Sequence, residues 1–420
     1  MTARQTAVKA LYEIEKNGAY TSSELKKLLS SSDLKPVDKS FATELVYGTV
    51  KNKTRLDCII SKYSKQKLKK LSVWILNILR IGVYQMIFLD KIPHSAAVNE
   101  SVKLAKRYGH PASAGFVNGV LRSVSKNGDV EYPKGNEFYE VYYSHPKWLV
   151  DMLFEQYPDD AAKIIENNNA VPPVTVRVNM NRTSLESVEK SLSEKGVKTE
   201  KTSEEAILKI SGFGDVAALE EYKNGLITPQ GLCSYIAAKT LGVREGDFVM
   251  DLCAAPGGKT TALAEMCGDK AEIYSFDLYE HKISLIENNC KRLGIKSVHA
   301  KASDASELMT EFKNKADKVL ADVPCSGLGI IHKKPDIKWN RAERDFASLC
   351  NVQEKIFKNA AAYLKIGGIM VYSTCTVNKN ENENIAVRLA EENGLKVISS
   401  ETFLPCKDCD GFYICKLIKE

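Results

Sequence analysis

The sequence predicts a multidomain chain of three successive parts: an all-helical bundle, a small α/β module and a C-terminal α/β domain with a mostly parallel sheet. Apolar residues recur at helical spacing through roughly the first 130 residues. They alternate as in half-buried strands in the middle of the chain, and from about residue 226 strands and helices follow one another in turn. We place the parts at 1–135, 136–225 and 226–420, which suits a length of 420 residues.

The N-terminal part is predicted to be a compact bundle of about five amphipathic helices with short connections. Three of these helical patterns stop at a glycine: Gly18, Gly109 and Gly128. The most apolar stretch, residues 72–89, contains an asparagine, an arginine and a glutamine. It is therefore expected to be the central helix of the bundle rather than a membrane span.

Charge is distributed unevenly along the chain. The net charge is +6, but residues 1–140 carry 23 Lys and Arg against 13 Asp and Glu, and the remainder is mildly acidic. The densest basic cluster surrounds the sequence KLKK and comprises Lys65, Lys67, Lys69 and Lys70. This asymmetry predicts that the first third meets a polyanion such as a nucleic acid, although a solvated lysine-rich face would look the same.

The cysteines indicate a reducing compartment. There are 11, an odd number spread over a long chain, so a disulfide framework is not expected. The N-terminus lacks the basic-then-apolar pattern of an export signal, and we expect a cytoplasmic protein. Cys406 and Cys409 form a C-x-x-C pair, but no second pair completes a zinc site, so no metal is expected. Cys415 lies within a predicted strand and is expected to be core.

Chemistry-bearing residues follow successive strands of the C-terminal domain. The first strand runs into residues 249–261, VMDLCAAPGGKTT, where Gly257 and Gly258 allow close approach to a helix N-terminus. Asp277 ends the second strand and Asp304 follows the third. Ligands of such sheets bind at the carboxyl ends of the strands, and an acid on the second strand typically binds ribose. The pattern predicts an adenosine-binding crevice, with a tight turn and helix caps as the plainer alternatives.

Two cysteines occupy the next two strand ends. Cys325 follows Asp322 and a proline in ADVPCSGLG, and Cys375 ends the strand in YSTCTV. A single cysteine of this kind is usually inert and structural. Because neighbouring parallel strands end at the same edge of a sheet, however, the two thiols are expected to face one pocket beside the cofactor.

Five motifs together resemble the RNA cytosine-C5 methyltransferases of the NOL1/NOP2/Sun type: DLCAAPGGKT, FDL, DVPCSGLG, HKKPDIKW and STCT. The N-terminal third is similar to the helical RNA-binding fold of the antitermination factor NusB, and DGFYICKL matches the closing strand of the family. The resemblance covers essentially the whole chain. It implies a NusB-like bundle, an RRM-like middle module and a Rossmann-like methyltransferase domain, as in bacterial 16S rRNA methyltransferases.

The resemblance implies S-adenosylmethionine as the cofactor. Asp277 would hold the ribose and Asp304 would lie near the adenine; Ser303 stands where the family often has glycine. The full set of implied cofactor-binding residues is Cys253, Ala254, Ala255, Pro256, Gly257, Gly258, Lys259, Asp277, Asp304 and Asp322.

The resemblance to the RNA cytosine-C5 methyltransferases also implies a covalent mechanism. A thiolate that adds to C6 of cytosine makes C5 nucleophilic enough to accept a methyl group. In the family the cysteine of the TC motif attacks, here Cys375, while Cys325 assists release of the product. Asp322 would hydrogen-bond the base near N3, and Lys259 would shape the local charge or help proton transfer. DNA cytosine methyltransferases instead attack with the cysteine of a PC motif, which would make Cys325 the nucleophile.

The implied partner is 16S rRNA, alone or in a partly assembled small subunit, and the target is cytosine 967 by analogy alone. The protein is expected to act as a monomer. The loop HKKPDIKWNR, with Lys333, Lys334, Lys338, Trp339 and Arg341, is predicted to contact single-stranded RNA near the pocket, an ordinary surface loop being the alternative. Two other functions remain open from the sequence: a tRNA cytosine-C5 methyltransferase, and a non-catalytic RNA-binding or antitermination factor.

Overall fold

The structure, a computed structural model, describes residues 1–420 as two compact units. One unit comprises residues 1–169 together with 331–341, and the other comprises 170–330 and 342–420. The helices of residues 136–167 belong with the N-terminal bundle, and so does a short segment from the C-terminal part of the sequence.

The first unit is all helical. Its elements are α1 (Ala3–Asn17), α2 (Thr21–Ser30), α3 (Pro36–Lys51), α4 (Lys53–Tyr63), α5 (Val73–Phe88), α6 (His94–Tyr108), α7 (Pro111–Asn127), α8 (Asn136–Val141), α9 (Lys147–Gln156), α10 (Ala161–Asn167) and, later in the chain, α16 (Ile337–Asn340). The predicted helices are present, and α2 and α4 lie between them. Helix α1 ends at Gly18, whose φ of 65° is a conformation that glycine adopts without strain.

Helix α5 lies in the core of the first unit, as its composition predicts. Its polar residues are buried with partners rather than exposed. Arg80 is 3% exposed and donates to Asp57 at 2.7 Å and to Glu15 at 2.7 Å. Asn77 donates to Glu15 at 3.0 Å. Buried charges are tolerated when they are paired and hydrogen-bonded, which is why a nearly all-apolar helix can carry them. No helix of the chain is both long and apolar enough to span a bilayer.

A small antiparallel sheet opens the second unit, as predicted for the middle of the chain. Its strands lie in the order β2-β3-β1-β4. The elements are β1 (Val174–Val178), α11 (Leu185–Glu194), β2 (Lys198–Lys201), β3 (Ile207–Ser211), α12 (Glu220–Lys223) and β4 (Ile227–Pro229). Alternate residues of β1 and β3 pack with α11 in a core of their own.

A seven-stranded sheet forms the rest of the second unit, in the order β10-β11-β9-β8-β5-β6-β7. Strands β5 to β9 run parallel, and β11 and β10 are antiparallel additions at one edge. The strands are β5 (Phe248–Asp251), β6 (Glu272–Asp277), β7 (Val298–Ala302), β8 (Ala316–Asp322), β9 (Leu364–Thr374), β10 (Leu395–Phe403) and β11 (Phe412–Lys419). Helices cover the sheet: α13 (Leu232–Leu241), α14 (Gly258–Met266), α15 (Glu280–Leu293), α17 (Asp345–Tyr363) and α18 (Glu383–Glu392).

One predicted helix end is wrong. The apolar spacing of residues 344–368 predicts one long helix with a glycine stop at Gly367 and Gly368, but α17 ends at Tyr363 and β9 begins directly at Leu364. The glycines lie instead within β9, beside a shift in its register with β8, and Gly367 has a φ of 78°. Glycine in a strand often marks such an irregularity.

Candidate active site

Two cysteines lie side by side at the carboxyl edge of the parallel sheet. Strands β8 and β9 are neighbours, with Asp322 opposite Ser373. Cys325 and Cys375 follow these strands, and their Sγ atoms are 3.1 Å apart. The adjacency of the strands therefore brings two thiols that are 50 residues apart in the chain into direct contact.

The loop that carries Cys325 is braced by Glu381, a fully buried carboxylate. Glu381 accepts hydrogen bonds from the Ser326 backbone N–H at 2.8 Å, from the Ser326 hydroxyl at 2.6 Å and from the Gln353 amide at 3.0 Å. Gln353 also donates to the carbonyl oxygen of Pro324 at 3.0 Å. The residues on both sides of Cys325 are thus fixed, which holds its sulfur in place.

An ion pair lies next to the thiols. Lys259, in the first turn of α14, donates to Oδ2 of Asp322 at 2.6 Å. The Ser373 hydroxyl donates to Oδ1 of the same carboxylate at 2.8 Å. Both oxygens of Asp322 therefore accept hydrogen bonds, and the side chain is held between the cofactor loop and the strand that leads to Cys375.

Lys259 is a fixed positive charge in this site. Burial alone would lower the pKa of Lys259, but the carboxylates of Asp322 and Asp251, together with Cys375, raise it above its ordinary value. The interaction is mutual: a cation that Cys375 helps to keep protonated also favours the thiolate form of Cys375.

The surroundings of Cys325 favour its protonated form. The pKa of Cys325 lies well above its ordinary value, first because of its hydrogen bond with Cys375 and second because of burial, with Glu381 and Asp322 adding to the shift. Two thiols in contact do not both ionise readily, so the first proton lost belongs to the pair as a whole.

Two cavities open beside the thiols and the ion pair. The larger, about 410 Å³, is lined by residues that include Cys253, Asp277, Tyr279, Lys282, Asp304 and Asp322. The smaller, about 200 Å³, is lined by residues that include Gln230, Asp251, Ala254, Gly258, Lys259 and Asp322. They share Cys253, Ala255 and Asp322, so the loop after β5 separates two halves of one binding region.

The larger cavity has the acceptors that a nucleoside needs. Asp277 is buried, accepts from the backbone N–H of Ala255 at 3.2 Å and pairs with Lys282 at 3.0 Å. It does not cap α15, whose N-cap residue is Tyr279. Asp304 is exposed at the other side of the cavity and caps no helix. Both carboxylates are available to the hydroxyl and amino groups of an adenosine.

The smaller cavity suits the amino-acid part of the same cofactor. Oδ1 of Asp251 is buried there and has no hydrogen-bond partner within the protein. Such an acceptor is costly unless a ligand donor completes it, and an ammonium group does so. The loop also needs glycine, because Gly257 has a φ of 97° and a Cβ there would lie 3.2 Å from the Cα of Ile286. The residues present therefore fit S-adenosylmethionine.

Asp251 predicts a measurable pH dependence. Burial raises its pKa to about 7, whereas the unfolded value is about 4. Between pH 4 and pH 7 the carboxyl group of Asp251 is therefore protonated in the folded state but ionised in the unfolded state. Its contribution to the free energy of unfolding is complete below pH 4 and is lost as the pH rises through 7. Between pH 5 and pH 8, wild type should lose about 3 kcal/mol more stability than Asp251→Asn, followed by circular dichroism in urea. Equal losses in the two proteins would contradict a raised pKa.

The structure corrects the RNA-contact prediction for two residues of HKKPDIKWNR. Lys338 is 1% exposed, and its ammonium donates to the carbonyl oxygen of Lys51 at 2.9 Å. The indole N–H of Trp339 donates to the carbonyl oxygen of Val50 at 2.9 Å. These carbonyls belong to the last turn of α3, where helix carbonyls lack intrahelical partners. The segment therefore caps a helix of the first unit with the very side chains that resemble an RNA-binding loop.

Trp339→Ala should destabilise the first unit by about 2 to 3 kcal/mol, because it removes both the hydrogen bond to Val50 and the packing of the indole against the helical core. The other two tryptophans, Trp74 and Trp148, lie in the same unit, so fluorescence during urea unfolding reports on it directly. The exposed neighbour Lys334 supplies the control, and Lys334→Ala should leave the midpoint unchanged. An unaltered midpoint in Trp339→Ala would disprove the capping role.

Sequence reasoning missed several residues of the site. Gln230 follows β4 in the sequence TPQG, and Glu381 lies in the polar sequence NKNENEN. Lys282 has the sequence pattern of an ordinary exposed residue of a helix. None of them belongs to a motif with a recognisable spacing. Only Ser373 carried a signal, since it directly precedes the TC pair at the end of a strand that had already been predicted.

Comparison with known families matches three stretches of the chain. Residues 238–418 match the family described as 16S rRNA methyltransferase RsmB/F, residues 1–126 match the NusB family, and residues 145–217 match the ferredoxin-like domain of RsmF/B-like methyltransferases. The probable ribosomal RNA small subunit methyltransferase B of Bacillus subtilis strain 168 is 35% identical over 447 residues, covering 100% of this chain and 99% of that protein. This chain belongs to the RsmB/F family.

Other relatives agree with this membership. Ribosomal RNA small subunit methyltransferase B of Klebsiella pneumoniae is 31% identical, with 99% of this chain and 98% of the relative covered. The crystal structure of PH0851 is similar with a TM-score of 0.83 and 25% identity, covering 99% of this chain and 98% of that one. The resemblance and the fold predicted from the sequence are thereby confirmed, and this chain is an S-adenosylmethionine-dependent methyltransferase.

Proposed function

We propose that this chain transfers a methyl group from S-adenosylmethionine to C5 of a cytosine in small-subunit rRNA through a covalent bond between Cys375 and C6. The observation that supports this most strongly is the contact of two thiols, 3.1 Å apart, beside the Lys259–Asp322 ion pair. One thiol is needed to make the bond to C6, and a second group is needed to remove the proton from C5. A cofactor cavity lies on the same sheet edge.

Cys375 begins the reaction as a thiolate, which the charge of Lys259 favours. Its sulfur forms a bond to C6 of the base. The electron pair of the C5–C6 double bond shifts to join C5 to C4, and the electrons of the C4–N3 double bond move to N3, which takes up a proton. The proton comes from solvent, and we assign Asp322 to stabilise it on N3, because its carboxylate, held by Lys259 at 2.6 Å, can accept the N3–H hydrogen bond.

The product is released by elimination. S-adenosylmethionine, when bound, supplies the methyl group that the electron-rich C5 accepts. After methylation N3 returns its proton to solvent, and Cys325, having first lost its own thiol proton to solvent, takes the proton from C5. The C5–C6 double bond re-forms and the bond between C6 and the sulfur of Cys375 breaks, which restores the Cys375 thiolate. While Cys375 is alkylated it is no longer a thiolate, so the hydrogen bond that most raises the pKa of Cys325 is removed at the step where Cys325 must act as a base.

The substrate assignment draws on the relatives and on the first unit. The relatives in Bacillus and Klebsiella are described as small subunit rRNA methyltransferases. Residues 1–126 match the NusB family, and all four lysines of the basic cluster, Lys65, Lys67, Lys69 and Lys70, are exposed. Phosphate contacts by exposed lysines account for sequence-independent affinity and do not select a particular cytosine. The target position, cytosine 967, is therefore proposed by analogy with the family.

A mechanism-based trap tests the proposal. An RNA copy of the small-subunit target region with 5-fluorocytidine in place of cytidine should form a complex that survives SDS in the presence of cofactor, because fluorine replaces the C5 proton that Cys325 must remove. The same RNA without cofactor should not accumulate the methylated complex. Bisulfite sequencing of 16S rRNA from a deletion strain identifies the position. No trapped complex would overturn the covalent mechanism, and unchanged methylation in the strain would overturn the substrate.

A further inference from the structure

Arg177 joins the small sheet to the cofactor loop inside the second unit. It lies on β1, is 2% exposed and uses all five of its N–H groups in hydrogen bonds. Nε and Nη2 donate to the two carboxylate oxygens of Glu265 at 2.8 and 2.9 Å. Nη2 also donates to the Thr261 hydroxyl at 3.0 Å, and Nη1 donates to the Gly258 carbonyl at 2.9 Å and to the side-chain oxygen of Gln230.

These acceptors belong to the wall of the smaller cavity and to the helix behind it. Gly258 and Gln230 both line that cavity, and the Gln230 amide donates to the Gly258 carbonyl at 3.3 Å. Thr261 and Glu265 lie in the first and the last part of α14, whose N-terminus follows directly on the cofactor loop. A single planar guanidinium thus fixes the start of α14 and the residue that faces it across the cavity.

We propose that Arg177 is a positioning residue for S-adenosylmethionine: it holds Gly258, Lys259 and Gln230 in the arrangement that binds the amino-acid part of the cofactor. The inference rests on the assignment of this loop to the cofactor in the proposed function. It gives the small α/β module a direct role in cofactor affinity, in addition to any contact with RNA.

A lysine cannot replace this group. Arg177→Lys keeps one positive charge for Glu265 but has three donors on one atom, so it cannot reach five acceptors spread over α14 and Gln230. The loop then loses its fixed geometry while the buried carboxylate stays paired. Arg177→Met combined with Glu265→Met removes the ion pair altogether and keeps the packing volume, which avoids a buried unpaired charge.

Arg292 provides the matched control. It is a half-buried arginine on α15 that also joins the small sheet to the large domain, donating to the carbonyl oxygens of Tyr222 and Ile227 at 2.9 and 3.0 Å and to the Thr228 hydroxyl at 2.9 Å. It does not line either cavity beside the thiols. Arg292→Lys therefore disturbs the same junction, and it reaches the cofactor loop no more directly than through Asn289, to which Arg292 donates at 3.3 Å and which donates to the Pro256 carbonyl oxygen at 2.8 Å.

The measurement is the Kd of S-adenosylhomocysteine, obtained by calorimetry on the full chain. Arg177→Lys and the double variant should bind about tenfold more weakly than wild type, a size typical of losing a group that orients binding residues, and Arg292→Lys should stay within about twofold. In turnover, the KM for the cofactor should rise about tenfold in Arg177→Lys, with a much smaller change in kcat at saturation.

Each outcome has one meaning. Wild-type Kd in Arg177→Lys would overturn the positioning role, and so would an equal loss in Arg292→Lys, because the effect would then come from the junction as a whole. If wild type itself failed to bind S-adenosylhomocysteine, the cofactor assignment in the proposed function would be at fault instead. Thermal unfolding of all variants shows whether a lost affinity follows lost folding, and the double variant decides the question if Arg177→Lys is poorly folded.

Discussion

Cys325→Ala is expected to hold the protein on its RNA as a covalent complex. In the proposed mechanism Cys375 forms the bond to C6 without help from Cys325, so the adduct and the methyl transfer still occur. Removal of the C5 proton then has no base, and the bond to Cys375 persists. Incubation with target RNA and cofactor should give a complex that survives SDS, and multiple turnover should fall by about 10³-fold or more.

The double variant Cys325→Ala with Cys375→Ala is the control for that complex and should give none. A complex that formed with Cys375→Ala and not with Cys325→Ala would exchange the two roles, as in the DNA enzymes. Glu381→Gln adds a graded test. It weakens the acceptor that fixes the Cys325 loop, and it should slow release of the product without preventing formation of the adduct.

Cys375→Ala should abolish methylation, with a loss of about 10⁴-fold or more, because in the proposed mechanism Cys325 removes the C5 proton and does not form the bond to C6. The variant should keep its affinity for S-adenosylhomocysteine, since Cys375 lines neither cofactor cavity. Transfer of the radioactive methyl group from the cofactor to RNA measures the effect.

Cys58→Ala is the control for this loss. It removes a half-buried thiol of the first unit, far from the site in sequence, and should leave activity unchanged. Normal turnover by Cys375→Ala would disprove the assignment of the nucleophile. A loss of cofactor affinity equal to the loss of activity would show that the substitution acts on folding rather than on chemistry.

The elements of the fold were predictable because local patterns determine them. Helices α1, α3, α5, α6 and α7 follow apolar spacing and glycine stops, and the alternation of strands and helices predicts a parallel sheet. Strands β2, β4 and β10 were missed because they are short or largely polar and exposed, so they lack a strong alternating pattern. The predicted C-terminus of helix α17 is too late in the sequence because the glycines within β9 resemble a helix stop.

The motif HKKPDIKW shows where a prediction of RNA contact from local sequence fails. Lysine next to tryptophan is typical of an RNA-binding loop, and the sequence offers no sign that α3 needs donors at its C-terminus. The partner carbonyls of Val50 and Lys51 lie almost 290 residues earlier in the chain. A contact of such separation leaves no periodic pattern in either segment.

By itself, the sequence predicted which groups are candidates for the chemistry. Asp322, Cys325 and Cys375 could be named because strand ends are predictable and strand ends hold the ligands of a parallel sheet. The tertiary structure alone decided how these groups act on one another: the 3.1 Å contact of the thiols, the charge of Lys259 beside Cys375, and the brace that Glu381 gives to Cys325. The physical reason is that residue type follows from local sequence, whereas pKa and position depend on distances of a few ångströms between distant segments, which packing sets.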